Sequence, residues 1–186
     1  TSTDRYGGGV YMTGGNFNMY GGQITKNTAH SGGGVYSDRD SNSECTFNMY
    51  DGEISGNTAT MYGGGVCIGN SSTFNMSGGQ ITDNSYSGTQ NGTGGGGVYN
   101  GGTMTVSDDV KITGNTKVID SVSTKNNVYL ASDKRTIAIG TGGLDDKAEI
   151  GVSVPKKPTL PFTIATSADK NTDYTGIIVS DVDTYK

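Results

Sequence analysis

The chain has 186 residues, among them 32 glycines, 3 prolines and 2 cysteines, and a formal net charge of -5. That length suits one domain, and so much glycine with so little proline excludes a collagen or linker composition. Without a stripe of Lys and Arg to neutralise phosphates, nucleic acid is not an expected partner. No apolar run approaches the ~20 residues that span a bilayer, so no membrane insertion is expected here.

Taken in chain order, the sequence repeats itself. Gly7-Gly8-Gly9-Val10-Tyr11 returns from Gly32 to Tyr36, from Gly63 to Cys67 and from Gly95 to Tyr99, with a decayed echo at Asn126-Asn127-Val128-Tyr129. Phe17-Asn18-Met19-Tyr20 returns from Phe47 to Tyr50, from Phe74 to Ser77 and more loosely from Met104 to Ser107. A third string, Gln23-Ile24-Thr25-Lys26-Asn27, returns from Glu53, Gln80 and Lys111. Each repeat thus offers three short segments that alternate apolar and polar residues, separated by Gly, Asn, Ser and Thr.

Three strands per tandem repeat predict an all-β, right-handed parallel β-helix of about five coils, whose equivalent strands stack at about 4.8 Å. A propeller blade would need four longer, hairpin-linked strands. Alternation places Phe17, Phe47 and Phe74, Met19, Met49 and Met76, the Ile24 set and the Val10 set inside as columns. Asn27, Asn57, Asn84 and Asn115 recur at one turn, where side-chain amides can bond to backbone or to each other.

Residues 1–125 read as four repeat coils, 126–154 as a degenerate closing coil and 155–186 as a C-terminal β cap. In the cap, Pro155, Pro158 and Pro161 break the pattern, and Phe162–Thr166 and Thr175–Ser180 read as strands. A distinct end has a purpose, because open strand edges invite pairing. No such segment precedes Gly7, so further coils are expected upstream in a longer chain. Ser37–Glu44 and Tyr86–Gly94 are insertions expected to protrude as loops.

The strings Gly-Gly-Gly-Val-Tyr, Phe-Asn-Met and Gly-Gly-Gln-Ile-Thr-x-Asn together resemble repeats of large, adhesin-like surface proteins of Gram-positive, gut-type bacteria. Asn127-Val128-Tyr129-Leu130, Lys134–Ile139 and Ile150-Gly151-Val152 resemble that family's closing coil. The resemblance spans nearly the whole chain and implies an exported, wall-associated or secreted protein that serves as spacer or adhesin. It carries over no functional residue.

Chemistry is hard to find in the residues. Glycosidases need two carboxylates flanking the scissile bond. Asp38, Asp40, Glu44, Asp51, Glu53, Asp83, Asp108 and Asp109 form no shared column, since Asp51 aligns with Gly21 and Gly78, and Glu53 with Gln23 and Gln80. His30, the only histidine, sits in Ala-His-Ser, and Cys45 and Cys67 occupy non-equivalent repeat positions. A non-catalytic role without cofactor or metal is therefore expected, and a polysaccharide lyase or hydrolase is the alternative.

The expected role is a rigid stalk or a contact surface, and the case for contact rests on the outward faces. With Phe and Met inside, Asn18, Asn48, Asn75 and Thr105 form one outward column and Tyr20, Tyr50, Ser77 and Ser107 another. Tyr11, Tyr36, Tyr99 and Tyr129 form a third, interrupted by Cys67. Aromatic faces beside amides suit a host glycan, because the ring covers C–H surface while amides bond hydroxyls; a host surface protein is the other partner considered. The reading that these stacks only brace the sheet, with no ligand, is the preferred one from the sequence.

Overall fold

The computed structural model describes residues 5–38, 43–88, 93–132, 134–154, 163–169 and 172–181. Among them there is no helix. The chain winds into a parallel β-solenoid of about five turns.

Each of the first four coils supplies three strands. They are β1 Val10–Met12, β2 Gly15–Thr25 and β3 Thr28–Ser31; β4 Val35–Ser37, β5 Cys45–Ser55 and β6 Thr58–Tyr62; β7 Val66–Ile68, β8 Ser72–Thr82 and β9 Ser85–Tyr86; and β10 Val98–Asn100, β11 Thr103–Thr113 and β12 Thr116–Ile119. Then come β13 Val122–Lys125, β14 Val128–Leu130, β15 Ile137–Leu144, β16 Glu149–Ser153, β17 Ala165–Ser167 and β18 Ile178–Ser180.

The division into three strands differs from the one the strings suggest. Phe-Asn-Met and Gln-Ile-Thr lie on one 11-residue strand, bent at its glycines, and the third strand is the segment after the turn asparagine. The bend is a bulge: the register between β2 and β5 slips between Met19 and Gln23, and such a slip interrupts the two-residue alternation. One strand with a phase change therefore looks like two.

The lumen fills with columns. Phe17, Phe47, Phe74, Met104 and Ile137 pair in register, as do Met19, Met49, Met76, Val106 and Ile139. Ile24, Ile54, Ile81, Ile112, Ile150 and Ile178 make another. From the second coil on, these side chains and Val35, Val66, Val98 and Val128 are buried. Each fully buried aliphatic or aromatic side chain contributes about 1.5–3 kcal/mol against exposure, so the columns are the main stabilising element.

The glycine triplet makes the tightest corner. A Cβ on Gly33 would collide with the carbonyl oxygen of Gly64 in the next coil, and one on Gly34 would stand 3.1 Å from Nδ2 of Asn57. The triplet thus lets coils approach and leaves room for the turn asparagine.

The solenoid ends by narrowing. The strands form two sheets, and the smaller runs β3, β6, β9 and β12 in parallel, with β13 turning back antiparallel on β12 to close it. In the fifth coil β16 spans two columns at once: Ile150 stacks on Ile112 while Val152 pairs with Val128. One residue, Gly151, replaces the turn and third strand. Beyond, β17 stacks on β15 and β18 on β16. Phe162 and the three prolines lie outside the described residues.

Candidate functional site

The outward face of the long strands carries Asn18, Asn48 and Asn75 as a hydrogen-bonded ladder. Asn48 Nδ2 donates to Asn18 Oδ1 at 2.9 Å, and Asn75 Nδ2 donates to Asn48 Oδ1 at 2.8 Å. Beside it Tyr20 and Tyr50 stack with ring centroids 4.8 Å apart and planes within 7°. These two rings are 71% and 45% exposed, a large aromatic area to leave in water. Each ring covers one face of the other, so what the pair offers a ligand is its ring edges and its two outer faces.

One residue further along each strand the surface sinks into a groove of about 550 Å³. Its floor is a row of glycines, Gly22, Gly52 and Gly79, at the strand bend. Gly52 has φ 106°, and a Cβ there would stand 2.7 Å from Met19 Cε and 2.8 Å from the Gly22 carbonyl oxygen. Only glycine suits that backbone. The walls are Asp51 and Asp109 on one side of the glycine row and Gln23, Glu53, Gln80 and Lys111 on the other.

Local bonds hold part of this wall. Gln23 Nε2 donates to Glu53 Oε2 at 3.0 Å, and the Gly52 N–H donates to Asp51 Oδ1 at 2.7 Å. Asp109 Oδ1 is buried and accepts no hydrogen bond among the described residues. Three carboxylates, two amides and one ammonium thus surround a trough without side chains on its floor. Such a lining bonds hydroxyls and amines through oriented acceptors and donors.

Equality of repeats hides this groove in the sequence. Asp51 and Glu53 occupy positions that hold glycine or glutamine in neighbouring coils, so they form no column, yet the bend turns them toward the same space as Asp109. The detectable signal is the Gly-Gly pair between the two outward polar sets.

The third outward column requires correction. Tyr11 is 56% exposed, but Tyr36 and Tyr99 are half-buried and Tyr129 is only 4% exposed. Tyr6 and Tyr62, from the adjoining corner, cover them: Tyr6 lies 4.7 Å from Tyr36 and Tyr62 lies 4.4 Å from Tyr99, centroid to centroid. Burial pushes the phenols of Tyr99 and Tyr129 up to about 12. Cys67, in the same column, is buried and its thiol is raised well above the usual range by desolvation. Tyr36 and Tyr99 therefore sit in two packed aromatic clusters on either side of Cys67, one with Tyr6 and the other with Tyr62 and Tyr129, while Tyr11 stays open at the end of the first.

The Tyr86–Gly94 insertion also differs from a protruding loop where it is described. Tyr86 is fully buried, and Gly88 and Gly94 sit so close that a Cβ on either would stand 2.6–2.7 Å from its ring. Residues 89–92, and Arg39 and Asp40 in the other insertion, lie outside the described residues.

Cys45 and Cys67 are free and buried. Among the described residues no group of three His, Cys, Asp or Glu side chains is placed to hold a metal ion, and no helix is long and apolar enough to cross a membrane. No protein-family model, curated protein or solved structure matches the chain.

Proposed function

We propose that the chain is a non-catalytic module of an exported, cell-surface protein, an adhesin-like rigid solenoid whose outward face contacts glycans. The observation that carries this reading is the exposed Tyr20–Tyr50 stack lying beside an amide ladder and a polar, glycine-floored groove. The edges and outer faces of the pair cover apolar C–H surface of a sugar, while fixed amides and carboxylates take its hydroxyls at little entropic cost. The stacked lumen columns support the mechanical half of the reading, since a continuous packed core resists bending. The resemblance of the Gly-Gly-Gly-Val-Tyr and Phe-Asn-Met strings to Gram-positive surface repeats supports the location.

Replacing both rings, Tyr20→Ser with Tyr50→Ser, and screening a glycan array tests it. Binding by the parent chain should fall by about tenfold or more in the double variant, in keeping with one or two lost aromatic contacts. Unchanged binding rejects the site. A second reading, polysaccharide cleavage, is favoured by one observation, the three carboxylates around a single groove. Release of new reducing ends from a bound glycan would move the assignment to that reading.

A further inference from the structure

We infer that the groove beside the Tyr20–Tyr50 stack selects amine-bearing glycans, such as oligomers of hexosamine with free amino groups, over acidic ones. The inference rests on the glycan-contact reading and adds the charge class of the ligand. It follows from four features that occur together: an open trough of about 550 Å³, a floor that bears no side chains, an exposed aromatic platform at its rim, and an unbalanced charge on its walls.

The charge pattern gives direction. Asp51, Glu53 and Asp109 face Lys111 as the single cation of the lining. Two of the carboxylates already accept local bonds through one oxygen each, Asp51 from the Gly52 N–H and Glu53 from Gln23. Each retains a second oxygen and most of its lone pairs for a ligand. Asp109 adds a third negative charge to the lining, and its Oδ1, closed off from solvent, has no donor among the described residues. An ammonium supplies several donors and a positive charge to such acceptors, and charge-assisted bonds are the stronger kind.

A uronate or sialate would instead bring its own carboxylate within a few ångströms of three others. Like charges in one concave site discriminate strongly against a wrong ligand. A neutral sugar would stack on the rings and bond the amides without using the charge. The trough therefore ranks amine-bearing above neutral, and neutral above acidic.

The test uses the whole chain and three probes of matched length: a glucosamine oligomer at a pH where its amines are protonated, its fully N-acetylated counterpart, and a galacturonate oligomer. In low salt the glucosamine oligomer should bind about tenfold tighter than the acetylated one, and the advantage should shrink as salt screens it. Asp51→Asn with Glu53→Gln should bring the two close to equality, because these isosteres keep shape and remove charge. Lys111→Gln should widen the gap, an opposite shift that a folding defect would not produce.

Asp120→Asn with Asp146→Asn, which changes the net charge equally at exposed positions outside the groove, should leave the ratio intact. Equal affinity for the amine and acetylated probes, preference for galacturonate, or an equal loss of preference in the Asp120/Asp146 control overturns the inference while leaving glycan contact standing. Absence of binding to every glycan on an array overturns both.

Discussion

Asn27, Asn57, Asn84 and Asn115 stack one per coil at the turn, and Asn127, 12 residues after Asn115 and directly before Val128, extends that ladder, while Asn18, Asn48 and Asn75 stack one per coil on the outer face. In the inner ladder each step carries two bonds: the backbone N–H and the side-chain Nδ2 of one asparagine both donate to Oδ1 of the next, at 2.9–3.1 Å. Nδ2 also reaches carbonyls, as Asn84 does with Ile54 O and Thr82 O at 2.8 and 2.9 Å. The outer ladder has a single amide–amide bond per step, leaving each residue spare donor and acceptor capacity. The same residue type at the same spacing is thus saturated inside and free to bind outside.

The inner ladder also has a direction. Every bond from one asparagine to the next is accepted by the later residue, so the last position needs a group that accepts. Asp181 fills it, taking the Asn127 N–H at 2.7 Å, Asn127 Nδ2 at 2.6 Å and the Ser153 hydroxyl at 2.8 Å. A carboxylate can accept all three and asks for no partner beyond. At the other end no donor among the described residues reaches Asn27 Oδ1.

Breaking the inner ladder in its middle should have the largest effect. Asn84→Ala removes the acceptor for the Asn57 N–H and Nδ2 and the donor for the carbonyls of Ile54, in a buried bond, and Thr82, in a partly buried one. Several groups are orphaned at about 1–3 kcal/mol each, and some find other partners, so a loss of about 4 kcal/mol is expected in denaturant unfolding. At the ladder's end, Asp181→Ala should cost about 2 kcal/mol because its bonds are only partly buried, and Asp181→Asn should recover most of that through its amide oxygen. An Asp181→Ala variant as stable as the parent chain would remove Asp181 as the terminator.

Much of this architecture is legible in the residues, for a physical reason. Phe47, Met49, Ile54 and Val35 lie on strands where alternation and coil spacing agree, so both direction and partner follow. The third strand is hidden because Thr28–Ser31, Thr58–Tyr62 and Ser85–Tyr86 share little beyond a first small residue. Missing it leaves the neighbours of Tyr36, Tyr99 and Tyr129 unknown, and those rings then read as exposed. The groove is hidden differently: the bulge that aims Asp51 and Glu53 into one trough breaks the alternation from which their direction would be read.

The outer ladder offers the smallest change in stability and the sharpest contrast. Asn48→Ala removes one exposed and one half-buried amide bond, and neighbouring groups are open to water that replaces the lost partner. Unfolding should shift by under about 0.5 kcal/mol, compared with about 4 for Asn84→Ala. If the outer face contacts glycans, the same substitution should weaken binding by a few fold, because the amide beside the Tyr20–Tyr50 stack no longer bonds a hydroxyl. Stability and binding measured on that one variant therefore separate the two roles. A large stability loss with unchanged binding would make the outer ladder a brace like the inner one, and would leave the aromatic stack to carry recognition without it.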